Sequence, residues 1–378
     1  MFFGVMGIIL PYFNLYCYHL KFTGIQIGYI ASLRSLCMLF LPIFWGIIAD
    51  RYQNRKFLYV LCCCCNALFT AFLLQFTEFK AMFVICFLGS IFYAPIISFM
   101  EAFSMDHLGK NKKSYGKVRL WGSISFICVT LIMGKALEFY DIKIIIIVAV
   151  IGTIIHAIIS MFMPPVVNVN RSPAFSNIKL LFKGRIILFF FCSFIMLLSH
   201  GTYYGFASIH FEQLGFKSSY IGFFWAIGST AEIIVMLFSE KIFNKFSIQP
   251  ILIFSFFVAV LRWLSLYYLT SPALILLTQL SHAITYGAFH VASILYIDQC
   301  MPKRAKTLGQ AANNSLSYGL GLMVGFSLNG FLFEKIGTFN AFFVSSCIAL
   351  FGGILLGGFC LFTHKKSNLK QDIDSTKT

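Results

Sequence analysis

Apolar residues run in stretches long enough to cross a hydrocarbon core, which takes about 20 residues. Polar residues gather in the short gaps between them. Twelve stretches are read, near 2–19, 24–49, 57–76, 79–103, 118–137, 143–163, 185–211, 218–239, 248–269, 273–298, 305–333 and 338–362. Each is predicted to be a helix, because a backbone in lipid must satisfy its own hydrogen bonds. The longest polar gap, 164–184, opens with Pro164-Pro165 and carries Asn168, Asn170, Arg171, Ser172 and Pro173. It divides the chain six plus six. The expected fold is an all-α membrane protein: an N-terminal six-helix bundle over 1–163, a linker over 164–184, a C-terminal six-helix bundle over 185–362 and a tail over 363–378.

Composition agrees. The chain is 59% hydrophobic and 11% charged, where a soluble domain is about one quarter charged. A net charge of +16 would suit nucleic acid, but the charges lie in short clusters between apolar stretches and form no basic domain. The lipid bilayer is the expected partner, and nucleic acid is not. The twelve cysteines, with a run from Cys62 to Cys65, show no Cys/His ligand spacing. They read as reduced thiols, with neither metal nor cofactor expected. The chain enters its first apolar stretch at residue 2 without a basic leader, so no cleavable signal peptide is expected.

Lys and Arg set the orientation. The side holding the 50–56 loop carries 21 of them and the other side 6. Both termini and the linker are therefore expected in the cytoplasm. The halves also repeat. A shift of 194 residues lays Gly7 on Gly201, Ile27-Gly28 on Ile221-Gly222 and Asp50-Arg51 on Asn244-Lys245. Parallel repeats of this kind suit a transporter with its site between the halves.

The loop after the second stretch places Gly46 before Asp50-Arg51, then Arg55 and Lys56. It resembles the major facilitator loop motif. The resemblance implies a cytoplasmic latch, in which Gly46 lets helices approach; the plainer reading is a positive-inside loop. Gln53 and Asn54 depart from the motif. A narrower resemblance begins at Tyr115, Gly116, Arg119 and Trp121. It continues through His200, Tyr203-Tyr204, Glu232, Arg262-Trp263, Gln279, His282 and His290. These residues look like the 3-phenylpropionate permease branch, related to lactose permease and nucleoside:proton symporters. That implies a major facilitator fold and proton symport of a small organic solute such as an aromatic carboxylate. A sugar or nucleoside symporter is the alternative. The resemblance also implies a bacterial inner membrane location, and a monomer is expected. It places an Arg at the position of Met38; here Arg34 stands one turn away on the same face. The chain also starts later than the family's chains do. No HExxH, GxSxG or paired catalytic carboxylates occur, so enzyme activity is not expected.

A charge at mid-membrane costs about 2.5–3.5 kcal/mol or more and is a functional candidate by default. Glu232 reads either as the proton carrier or as half of a static pair with Arg262. The two are expected at depths differing by about 10 Å, at 1.5 Å per residue. His282 completes the proton-coupling set. Polar residues recur on one face at Gln279, His282, Tyr286 and His290. They recur again at His200, Tyr203 and His210, at Tyr12, Tyr16 and His19, and at Gln310, Asn313, Asn314 and Ser317. The expected substrate cavity takes Arg34, Tyr12, Tyr16, His200, Tyr203, Gln279, Tyr286, His290 and Asn313. Each membrane His could instead be a satisfied helix contact. The expected cytoplasmic gate comprises Gly46, Asp50, Arg51, Arg55, Glu101 and Arg119. Glu101 and Arg119 read either as a pair pinning that gate or as substrate contacts.

Overall fold

A computed structural model describes residues 1–109, 115–164, 181, 182, 184–302 and 305–375. Among these residues every regular element is a helix. The first half holds α1 (Phe2–His19), α2 (Gly24–Tyr52), α3 (Arg55–Phe72), α4 (Phe79–Tyr93), α5 (Ile96–Leu108), α6 (Tyr115–Ala136) and α7 (Ile144–Met161). The second holds α8 (Gly184–Gln213), α9 (Ser218–Lys245), α10 (Ile248–Tyr268), α11 (Pro272–Leu280), α12 (Phe289–Cys300), α13 (Lys306–Asn313) and α14 (Leu322–Ser375). A π-helical turn, Ala283–Ala288, joins α11 to α12, and another, Asn314–Gly321, joins α13 to α14. Among the described residues, ten helices are long and apolar enough to cross a membrane. The expected linker lies almost wholly outside the described residues.

Local chemistry explains the ends. Thr23 accepts from the Gln26 amide while the Gln26 side chain accepts from the Thr23 amide, a capping box that starts α2. Asn54 accepts from the Phe57 amide and starts α3. Pro95 restarts the chain into α5, so α4 and α5 run as one span, Phe79–Leu108. Gly337, at φ 78° and ψ 172°, breaks α14.

Within the first half α1 packs on α6 and α7, and α3 on α4 and α7. Within the second α8 and α10 pack on α14, and α9 on the first π turn. Across the halves α2 packs on α14 and α6 on α9. Glycines carry both crossings. A Cβ at Gly28 would stand 2.6 Å from the Phe326 carbonyl oxygen and 3.0 Å from Gly330 Cα. A Cβ at Gly222 would stand 2.9 Å from the Tyr12 hydroxyl and 3.0 Å from the Thr130 carbonyl oxygen. The 194-residue shift superposes these two glycines, so each copy of the repeat uses the same position to approach the other.

The crossings gather toward the face opposite the basic loops. There His19 Nε2 lies 2.9 Å from each Glu212 oxygen. Gln213 donates to the Tyr18 hydroxyl, and the Ile25 amide donates to Glu334. On the basic face, Gly46 has nothing among the described residues within 4 Å of where a Cβ would be. Among these residues the halves close on one face and part on the other.

Candidate functional site

A cluster of ionisable side chains gathers in the second half around the first π turn. Arg262 on α10 is 1% exposed. Its Nη2 donates to Gln279 Oε1 at 3.0 Å and its Nη1 to Thr285 Oγ1 at 3.1 Å. Nη1 also lies 2.6 Å from His282 Nδ1. Tyr203 and Trp263 carry the guanidinium on their ring faces, at 4.3 and 4.9 Å. On its other side, His282 Nε2 lies 2.5 Å from Glu232 Oε1 on α9 and 3.4 Å from the Tyr204 hydroxyl. Of the two readings of Glu232, a static pair with Arg262 is not made directly: the imidazole stands between them. It spans the difference in depth that the sequence puts between the two charges.

This geometry fixes a tautomer. A guanidinium only donates, so His282 Nδ1 must accept. The ring proton then sits on Nε2, facing Glu232 Oε1. Arg262, His282 and Glu232 thus form one polarised chain of cation, neutral imidazole and carboxyl. Burial makes each link costly to leave unmatched.

Rings continue the chain. Tyr286 stacks on His282 with centroids 5.2 Å apart and on His290 at 6.3 Å. His290 Nδ1 lies 2.5 Å from the Tyr318 hydroxyl on the second π turn. His200 is fully buried; its Nδ1 donates to the Met196 carbonyl, and its Nε2 has no partner among the described residues. The elements that bear Glu232 and Tyr318 are the ones that cross to α6 and α2.

Several expected cavity residues are placed elsewhere. Tyr12 is buried and donates to the Thr130 carbonyl, holding α1 to α6. Tyr16 is buried in the core beside Phe13. Tyr203 and Gln279 support Arg262 and are 1% and 0% exposed. Asn313 is buried and accepts from Ser317. The Tyr12 hydroxyl and the Gln279 and Asn313 amides find their partners in a neighbouring helix or their own turn, the ordinary fate of a buried polar group. Arg34 lies in the first half, over the Phe13 ring at 5.4 Å. Tyr204, Thr285 and Tyr318 join the cluster without having been singled out as site residues.

The expected gate is also rearranged. Arg55 bridges Asp50 at 3.3 Å and Asp106 of α5 at 3.7 Å, so this network stays within the first half and reaches neither α6 nor α14. Arg51 is exposed. Among the described residues, Gly46 brings no helix close. Glu101 and Arg119 do not pair. Glu101 accepts from Tyr115 at 3.4 Å, while Arg119 lies 3.8 Å over the Phe3 ring. Both border a cleft of about 640 Å³ on the basic face.

Two repeated halves, closed on one face around a buried ionisable cluster, define a secondary transporter of the major facilitator class. The chain belongs to the MFS_1 like family, which it matches over residues 1–344. It is similar to the probable 3-phenylpropionic acid transporter of Escherichia coli (strain K12), with 25% identity over 69% of each chain. It is also similar to the putative nucleoside transporter YegT of the same organism, with 23% identity over 83% of this chain and 78% of that one. Among solved structures, nucleoside transporter NupG superposes with a TM-score of 0.85, at 18% identity and over 94% of this chain and 96% of that one. That likeness shows the fold. The chain is an integral membrane, secondary active transporter for a small organic solute, and not an enzyme.

Proposed function

We propose a proton-coupled symporter of a neutral, hydrogen-bonding solute of the nucleoside or sugar type, working as a monomer by alternating access. The observation that carries the reading is the Arg262–His282–Glu232 chain. A proton arriving at Glu232 Oε2 leaves Oε1 to accept from His282 Nε2–H, but the contact loses its charge; a proton on Oε1 itself sets two donors against each other. In both cases the charge-assisted link weakens or breaks, so proton occupancy and the strength of the cluster change together. That is the requirement of a coupling site.

The substrate class rests on three supports. Arg262 is already held by Gln279, Thr285 and His282, which leaves no free cation in the cluster to claim a carboxylate. Tyr204 and His290 are half-buried rings at the ends of the stack through Tyr286, where a planar base can extend it. Relatives named for nucleosides recur, and their fold superposes over nearly the whole chain.

Twelve crossings in two six-helix bundles fit the elements when α1 is counted and the last long helix is divided at Gly337. With the basic face taken as cytoplasmic, both termini lie in the cytoplasm and the described state opens inward. Proteoliposomes with an acidic exterior should accumulate uridine, and a protonophore should collapse the accumulation. Accumulation of 3-phenylpropionate with no uptake of nucleosides or sugars would overturn the substrate class.

A further inference from the structure

Two rungs of different kinds hold the closed face, both running from α1 to α8. In one, Gln213 donates to the Tyr18 hydroxyl at 3.3 Å. A buried brace stands behind it. Thr338 donates to Gln213 Oε1 at 3.0 Å, so the Thr338 oxygen accepts from His210 Nδ1 at 2.9 Å. His210 is fully buried, and its Nε2 has no partner among the described residues. A second proton on that ring would be a buried charge without a counterion, so this rung runs through neutral groups. The other rung is the His19–Glu212 contact, with Nε2 2.9 Å from both carboxylate oxygens. Here the side chains are 40% and 32% exposed. His19 Nδ1 makes no hydrogen bond among the described residues. It can exchange a proton with water while Nε2–H stays on the carboxylate.

A proton at Nδ1 turns the contact of a neutral ring into a full ion pair, and charge on both partners strengthens it. Other charges at this end do not compete. Glu138 takes Lys135, Glu334 accepts from the Ile25 amide and Asp141 from the Lys143 amide. Lys21, Glu78, Lys80, Lys217 and Lys335 enter no ion pair among the described residues. When the halves part on this face, His19 and Glu212 separate into water and the pair is lost. Closing is therefore the step that the proton favours. The stabilisation is present in acid and fades as rising pH strips the ring of its charge. We propose that His19 and Glu212 form a proton-set clasp: protonation of His19 from the solution on this side holds the face shut, and loss of that proton frees it to open. The clasp shares no residue with the Glu232 cluster and stands if the proton-coupled reading fails. With this face taken as the outer one, an acid exterior favours closing.

Spin labels carried on non-natural residues at the exposed positions Lys21 and Lys217, one in each half, report the separation of the halves in lipid nanodiscs. Pulsed electron resonance then gives the ratio of closed to open molecules at about pH 5 and about pH 8, the range in which an imidazole changes charge. From the acid to the alkaline sample the ratio should fall by up to about fivefold, the range of a half-exposed ion pair. Glu232→Gln should show the same fall. His19→Lys, a fixed cation, should stay as closed in alkali as in acid. His19→Gln, which carries no charge, should show one ratio at both. A wild-type ratio that does not move with pH, or a full response in His19→Gln, overturns the clasp. A response lost in Glu232→Gln with His19 in place belongs to the buried cluster and overturns it as well.

Discussion

Arg262 orders its surroundings because it has five hydrogens to give and no lone pair to offer. Three acceptors meet it, and its neighbours Tyr203 and Trp263 hold its faces. An ammonium keeps the charge and loses the fork. Arg262→Lys should therefore forfeit at least one charged hydrogen bond, worth about 1.5–3 kcal/mol. It should lower the melting temperature by several degrees and proton-driven uptake by tenfold or more. Wild-type uptake in Arg262→Lys would show that charge alone suffices. At this scale the sequence discloses Glu232, Arg262, His282 and Gln279 directly, since each is a polar group in an apolar helix. Tyr204 and Tyr318 are harder to see. Tyr204 lies one turn beyond His200, beside the more deeply buried Tyr203. Tyr318 sits on a π turn, whose wider winding rotates its side chain off the stripe that regular helical spacing draws through Asn313 and Ser317.

The helices and their glycines decide how the halves meet. Gly222 gives α9 its approach to α6, and Tyr12 fills the seam. A larger side chain has no room there, and overpacking of this kind costs about 1–3 kcal/mol. That cost falls only on the state in which this seam is closed. Gly222→Leu should thus shift the protein toward the state open on the outer face, with the fold kept and uptake reduced at least tenfold. A cysteine placed at Tyr18 should gain reactivity toward an impermeant maleimide in intact cells when Gly222→Leu is added. Unchanged reactivity with lost uptake would mean that the seam does not open. Element positions were legible from apolar length, and the Gly28 and Gly222 pairing from the repeat. The π turns were not, because no residue type marks them.

Taken over its described residues, the molecule is closed at His19–Glu212 and parted at Gly46. The number of stretches and the charge bias speak to topology, but one sequence must encode both the inward-open and the outward-open arrangement. Asp50, expected to latch the halves together, is held by Arg55 within its own half here. Alternating access needs a trigger that both faces can feel in turn, and the Glu232–His282 contact is the candidate. The direct test is Glu232→Gln in proteoliposomes, assayed both for accumulation of uridine under an acid-outside gradient and for counterflow of uridine without one. The amide mimics the protonated acid and cannot release a proton. The account predicts that accumulation is lost while counterflow persists; accumulation at the wild-type level would contradict it.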